Sequence, residues 1–388
     1  MKKLNKRIAI ISGSRGDYDL LKPIIKRMYS AKNIKVQSII TGSHLIKNYK
    51  NNRLFSKDKI IINKKISIKY LKDDTTSILN YLADGIKKFN KCFLSLKPDL
   101  ILILGDRYEI FSAAISAHFN RIPIAHISGG EITVGSFDDA IRHSITKLSS
   151  LHFVTNNVYF NRVKQLGEAS NKVFCVGSTG VEDISTAKLL KKKDIEKKIN
   201  FKLKKRNFIV TYHPVTFEKD YGINDFRVLL KYLSSINETG IIFTLPNIDT
   251  NNYQIIRLIK RFVKKNSNSV YFKYLGKEVY FSLIKNVDGV IGNSSSGIAE
   301  VPSFKKPTIN IGIRQKGRVR ALSIIDINKI NYKKIHQAFK KIGSISFKKK
   351  LFKTKNPYYK KDSSKNIVRI LEKINLNGVT TKEFVDLN

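Results

Sequence analysis

The sequence predicts an α/β protein made of two doubly wound parallel sheets, and three observations predict it. Short apolar runs alternate with helix-length segments through the first half. A Lys-rich stretch at 186–206 then resets the pattern, and a second series of the same kind follows. The length, 388 residues, suits two domains or slightly more at roughly 150 residues each.

In order, Arg7–Ile11 reads as a first strand, and SGSRGDYDLL turns from it into a helix reaching about Tyr29. Val36–Thr41 is a second strand. Thr76–Leu96 is a helix, because Ile78, Leu82, Ile86, Phe89 and Phe93 recur at three- and four-residue steps. The runs Leu100–Leu104 and Ile122–Ala125 are uninterrupted, short and separated by a helix length, as strands buried on both faces are. His152–Thr155 and Lys172–Val176 complete the first half. The second half offers Asn207–Tyr212, Ile241–Thr244, Val270–Lys273, Gly289–Ile291 and Thr308–Ile311, with helices between. Ser363–Ile374 has helical periodicity after a Pro-Tyr-Tyr turn. The division expected is 1–182, 183–358, and a helix and tail at 359–388 that crosses back to the first domain.

Composition narrows the partners. Lys and Arg number 73 against 30 Asp and Glu, a net charge of +43. Such a balance suits nucleic acid or an anionic surface. The Lys residues are spread along both halves, however, together with frequent Asn and Ile, as a compositional bias produces. No aromatic-interleaved basic motif accompanies them, so a nucleic-acid partner is not expected. Cys92 and Cys175 are far apart and lack a CxxC partner, which suits a reducing cytoplasm. The basic start MKKLNKR is followed by an apolar run, Ile8–Ile11, too short for a signal peptide. No segment approaches the roughly 20 apolar residues that span a bilayer, and a cytoplasmic homo-oligomer without membrane contact is expected. The seven His and two Cys show no metal-ligand spacing, and neither a metal nor a cofactor is expected.

Ligands of open parallel sheets bind beyond the carboxyl ends of the strands, and that is where the polar motifs stand. Gly105-Asp106-Arg107 ends one strand, with Asp106 placed as a base or a hydroxyl acceptor, or else paired with Arg107 or capping the following helix. His126 and Glu131 bracket Ser-Gly-Gly after the next, and together read as a site more than either does alone. In SFDDAIRH, Ser136 and Asp139 match a capping box. Asp138 and Arg142 stand at i and i+4, either as a surface ion pair or as a pair tuning Asp138 in a pocket. SGSRGD joins a strand to a helix and admits a phosphate or nothing at all. It has neither the GxGxxG nor the GxxxxGK[ST] spacing, so no NAD or P-loop site is supported. His213 in TYHPVT ends a strand, equally a phosphate donor or a turn residue. GNSSSGIAE is the strongest anion signal: Ser294, Ser295, Ser296 and Gly297 exceed what a helix cap needs, and Glu300 follows where a ribose could be held.

Taken together, SGSRGDYDLLKPI, TGSHLI, GDRYE, HISGGEITVGSFDDAIRHSITKLS, TYHPVT and NSSSGIAEVPSFKKPTINIGIRQKGR resemble the hydrolysing UDP-N-acetylglucosamine 2-epimerase family of sialic-acid- and legionaminic-acid-type pathways, in order and over nearly the whole chain. Non-hydrolysing relatives carry text such as EAGLR where this chain has GGE. The resemblance implies two Rossmann-like doubly wound domains in a glycosyltransferase-B-type arrangement, with a UDP-sugar as substrate. It implies that Arg15 contacts the diphosphate and that Asp106, Glu131 and Asp138 do acid–base work supported by Arg142. It further implies that His213 lies near the phosphates, that Ser294–Gly297 form the diphosphate loop and that Glu300 holds the ribose. The reaction implied releases N-acetylmannosamine and UDP through an enzyme-bound 2-acetamidoglucal. The same chemistry on UDP-2,4-diacetamido-2,4,6-trideoxyglucose is the alternative. A glycosyltransferase of this architecture and a non-enzymatic basic binding protein stand further off. Glu182 in GSTGVEDI falls at a variable position and carries no expectation.

Overall fold

A computed structural model of the chain describes residues 5–45, 52–69, 74–134, 137–182, 184–215, 218–246 and 252–387. They form two compact units: Met1–Glu131 and Asp138–Glu182 with Tyr358–Asn388, and Ile132–Phe137 with Asp183–Pro357.

The first unit holds β1 (Lys6–Ser12), β2 (Ile34–Thr41), β3 (Ile62–Ile66), β4 (Leu100–Leu104), β5 (Ile124–Ile127), β6 (Leu151–Val154) and β7 (Val173–Cys175). Their order across the sheet is β3-β2-β1-β4-β5-β6-β7, and every pairing is parallel. Alternation along β1 explains its burial on both faces. Ile8 and Ile10 pack with Tyr18, Leu21 and Ile25 in one layer, while Ala9 and Ile11 pack with Phe89, Ile101 and Ala113 in the other. The second unit holds β8 (Arg206–Thr211), β9 (Thr239–Thr244), β10 (Ser269–Phe272), β11 (Gly289–Gly292), β12 (Thr308–Ile311) and β13 (Ile324–Ile327). Their order is β10-β9-β8-β11-β12-β13, again all parallel. Both sheets reverse direction beside their first strand, at β1/β4 and at β8/β11, the doubly wound pattern whose switch points take ligands.

Two edge strands escape sequence pattern. The strand β3 reads INKKI, with three polar residues between its isoleucines, and β13 reads IIDI, short and only partly buried. Charged residues on an edge discourage pairing with other chains, and for that reason they erase the apolar signature. The Lys-rich connector contains a helix, Lys192–Ile199, that buries Ile195 and Ile199. The helix Ser363–Lys373 packs within the first unit. There Arg27 Nε donates to Ser364 Oγ at 2.8 Å, and the Ser364 N–H donates to Glu182 at 2.8 Å. Glu182, silent in the sequence, thus anchors the start of this helix.

Candidate active site

In the first unit, the loops after β4 and β5 and the helix Asp138–Leu148 are gathered by one guanidinium. Arg142 is 3% exposed. Its Nη2 donates to Asp106 Oδ2, and its Nη1 donates to the Glu131 main-chain oxygen at 2.9 Å and to Asp139 Oδ1 at 3.4 Å. A buried guanidinium requires such compensation, and its planar fork fixes the directions of its partners. The Asp138–Arg142 alternatives are therefore decided in one respect: Arg142 is no surface decoration, and Asp106 and Asp139 are among its acidic partners. Asp138 occupies the first turn of the helix, and Glu131 is buried. Ser136, proposed for a capping box, lies outside the described residues.

His126 departs from expectation. The strand β5 runs two residues past Ala125, so His126 sits inside it, fully buried. Its Nε2 donates to the Gly105 carbonyl at 2.8 Å, and its Nδ1 lies 3.2 Å from Thr146 Oγ1. Burial pushes its pKa down to about 3. It is a neutral brace for the β4 loop, not a group of the site.

At the end of β1, Ser14 caps the helix Arg15–Tyr29 by accepting from the Asp17 N–H, so Arg15 occupies the first helical position. Asp17 Oδ2 accepts from the Gly13 N–H at 3.2 Å. Burial pushes the Asp17 pKa up to about 6, with Arg107 opposing and Glu109 adding to the rise. His44, after β2, reaches Ser12 Oγ at 2.9 Å, and burial pushes its pKa down to about 4. Arg107 Nε donates to Glu109 Oε1 at 2.8 Å. Sequence reasoning passed over Asp17, Glu109 and His44, and took Arg107 only as the alternative partner of Asp106, whereas it pairs with Glu109. The available signal was their position, since each follows a strand end of the β2-β1-β4 group.

In the second unit, β8 and β11 are joined at their carboxyl ends by Asn293. The His213 N–H donates to Asn293 Oδ1 at 2.6 Å, and Asn293 Nδ2 donates to the His213 carbonyl at 2.7 Å. Gln315 Nε2 donates to the Asn293 carbonyl at 2.9 Å. Gly292 has φ +132°, and a Cβ there would overlap the Thr211 carbonyl, so only glycine permits this approach. The helix opened by Ser294 is short, Ser295–Ala299, and its dipole is correspondingly slight. What the turn presents is chiefly hydroxyls, because the Ser296 and Gly297 N–H groups donate to Ser294 at 3.4 and 3.2 Å. Ser295 is exposed, Ser296 Oγ lies 2.8 Å from Tyr280 Oη, and Glu300 follows the helix, half-buried. Gly297 has another purpose: its Cβ would meet Thr308 Cγ2 at 2.9 Å, so its absence lets the turn pack on β12.

Among the described residues no cluster of His, Cys, Asp and Glu could hold a metal, and no helix is long and apolar enough to cross a membrane.

Residues 26–372 match the family described as UDP-N-acetylglucosamine 2-epimerase. The chain is 40% identical over 384 residues to the GDP/UDP-N,N'-diacetylbacillosamine 2-epimerase (hydrolyzing) of Campylobacter jejuni, covering 98% of this chain and 99% of that one. It is 36% identical over 388 residues to the polysialic acid biosynthesis protein P7 of Escherichia coli, covering 98% of each. A crystal structure of UDP-GlcNAc 2-epimerase from Neisseria meningitidis bound to UDP-GlcNAc superimposes with a TM-score of 0.81 at 19% identity, over 95% of this chain and 100% of that one. That likeness is one of fold: two parallel-sheet Rossmann-like units of the glycosyltransferase-B class.

Proposed function

This chain belongs to the UDP-N-acetylglucosamine 2-epimerase family, and on that premise we propose that it is a hydrolysing 2-epimerase, converting UDP-N-acetylglucosamine and water to N-acetylmannosamine and UDP. The observation that carries the reading is the buried Arg142, which holds the Asp106 carboxylate and the Glu131 main chain beside the helix whose first turn carries Asp138. The proton on sugar carbon 2 is not acidic, so removing it requires help from departure of UDP at carbon 1. A base must face carbon 2 while cations and N–H groups stabilise the leaving diphosphate.

In this reading one of the three carboxylates takes the carbon-2 proton as the bond from carbon 1 to the UDP oxygen breaks, giving a 2-acetamidoglucal. Water then adds its oxygen at carbon 1, and a proton is delivered to carbon 2 from the opposite face. Arg142 orients Asp106. Arg15, His213 and the Ser294–Gly297 turn bind the diphosphate, and Glu300 accepts from the ribose hydroxyls.

A second reading keeps every step and changes the sugar to UDP-2,4-diacetamido-2,4,6-trideoxyglucose. It is favoured by the 40% identity to the Campylobacter jejuni enzyme. The test is turnover of each UDP-sugar in deuterated, oxygen-18-labelled water. The expected product carries deuterium at carbon 2, labelled oxygen at carbon 1 and inverted configuration at carbon 2. The sugar that turns over faster distinguishes the two readings. A product with carbon 2 unexchanged and uninverted overturns both, since a glycosyltransferase leaking to water would give that result.

A further inference from the structure

Glu109 is the second residue of the helix Tyr108–Phe119. An acid there ordinarily faces water and the helix dipole. Here it is 2% exposed. A Cβ at Gly13 would overlap its carboxylate, and a Cβ at Gly42 would stand 2.6 Å from its Oε1. Gly42 also has φ +55°. The backbones that leave β1 and β2 are thus cut back to glycine around this one carboxylate. The same two loops are tied to each other, because the Gly13 carbonyl accepts from the Ser43 N–H at 2.8 Å. The carboxylate in turn accepts from Arg107 Nε at 2.8 Å. Held at Nε, a guanidinium has its plane fixed and its two terminal nitrogens directed away from the anchor. Burying a carboxylate is costly, and a space-filling role would be met more cheaply by an apolar side chain.

We propose that Glu109 is a positioning residue: its buried carboxylate sets the Arg107 guanidinium and the Gly13–Arg15 turn so that Arg107 and Arg15 meet the anionic part of the substrate. The proposal rests on the reading of the chain as an enzyme acting on a UDP-sugar. Glu109 itself touches no substrate. Its influence on the neighbouring Asp17, whose proton it helps retain, belongs to the same arrangement.

The test is a double-mutant cycle on the full chain, read by calorimetric affinity for UDP, melting temperature and steady-state kinetics. Glu109→Gln fills the same space without the charge. It should melt within a few degrees of wild type, bind UDP at least tenfold more weakly, and raise KM by more than it lowers kcat. Arg107→Lys keeps the charge but lacks the fork, and should lose a similar factor. The double variant should be no weaker than the worse single one, because both changes break one arrangement. Wild-type affinity in folded Glu109→Gln, or losses that multiply in the double variant, overturns the proposal. If Glu109→Gln does not fold, Arg107→Lys decides: weakened binding supports the proposal and unchanged binding overturns it. Loss of affinity in Ser295→Ala with none in Glu109→Gln overturns this proposal alone, whereas a wild-type protein that binds no UDP overturns the parent reading as well.

Discussion

Asp106, Glu131 and Asp138 are alike in sequence, each an acid near a strand end or helix start, but their surroundings divide them. Asp106 is bound to a guanidinium that is 3% exposed. Removing its charge leaves Arg142 with less compensation in a buried place, a change that costs about 3–5 kcal/mol when no other partner remains. Asp139 remains at 3.4 Å, so the expected cost in Asp106→Ala is smaller than that but still visible as a lower melting temperature. Asp138→Asn, at the open first turn of its helix, should melt within a few degrees of wild type. All three replacements, Glu131→Gln included, should lower turnover by about a hundredfold or more, the scale of lost acid–base catalysis. Turnover in Glu131→Gln equal to wild type would remove that residue from the chemistry. His126 shows where residue type misleads. A histidine written just before Ser-Gly-Gly looks like part of a site, and only the extent of β5 reveals that it is walled in and held neutral.

At the scale of elements, strand ends were legible because uninterrupted apolar runs give way at once to glycine and polar residues. The switch-point strands β1, β4, β8 and β11 all show it. Of the four edge strands, β7 and β10 were legible but β3 and β13 were not, since these two solve a different problem, solubility, with the very residues that mask a strand. The serine turn after β11 was legible as a turn, but the reason for its glycine was not. Gly297 packs on Thr308, whose hydroxyl donates to the Gly297 carbonyl at 2.7 Å. A side chain there forces the turn off β12, and overpacking of this kind costs about 1–3 kcal/mol. Gly297→Val should therefore lower the melting temperature and weaken UDP binding together, and it does not isolate ligand contact. Ser295→Ala does, because that hydroxyl is exposed. A hydrogen bond to a charged oxygen is worth about 1.5–3 kcal/mol, so the expected loss of UDP affinity is about tenfold to a hundredfold, with melting unchanged. Unaltered calorimetric affinity would take Ser295 out of the diphosphate turn.

Across the whole molecule, the net charge of +43 makes each buried acid valuable, and Glu168 carries more cations than any motif in the sequence foretold. Lys382, near the end of the chain, donates to both Glu168 oxygens at 2.7 and 2.8 Å and to the Ser149 carbonyl at 2.8 Å. Lys147 donates to Glu168 at 2.8 Å, and His152 Nε2 lies 3.0 Å from it. Beside them, Phe384 covers Gly167, where a Cβ would strike its ring, and the Val385 N–H donates to the Gly167 carbonyl at 3.1 Å. The residues after the last helix are therefore held against the first unit by Lys382, Phe384 and the Val385 backbone. Burial alone would raise the Glu168 pKa, but the bonds from His152, Lys147 and Lys382 outweigh it and hold it at about 2 against an ordinary 4.5. A carboxylate depressed in the folded state stabilises above its ordinary pKa and loses that contribution as pH falls through the depressed one. The wild-type urea midpoint should accordingly fall between about pH 4.5 and pH 2. Lys382→Met removes one of the two ammonium groups on Glu168 and brings its folded pKa nearer its ordinary value. It should lower stability at pH 7 by about 1–3 kcal/mol and flatten the decline below pH 4.5. Equal acid slopes for the two proteins would mean that Lys382 does not govern the Glu168 carboxylate, and that the tail is held by Phe384 and its backbone bond alone.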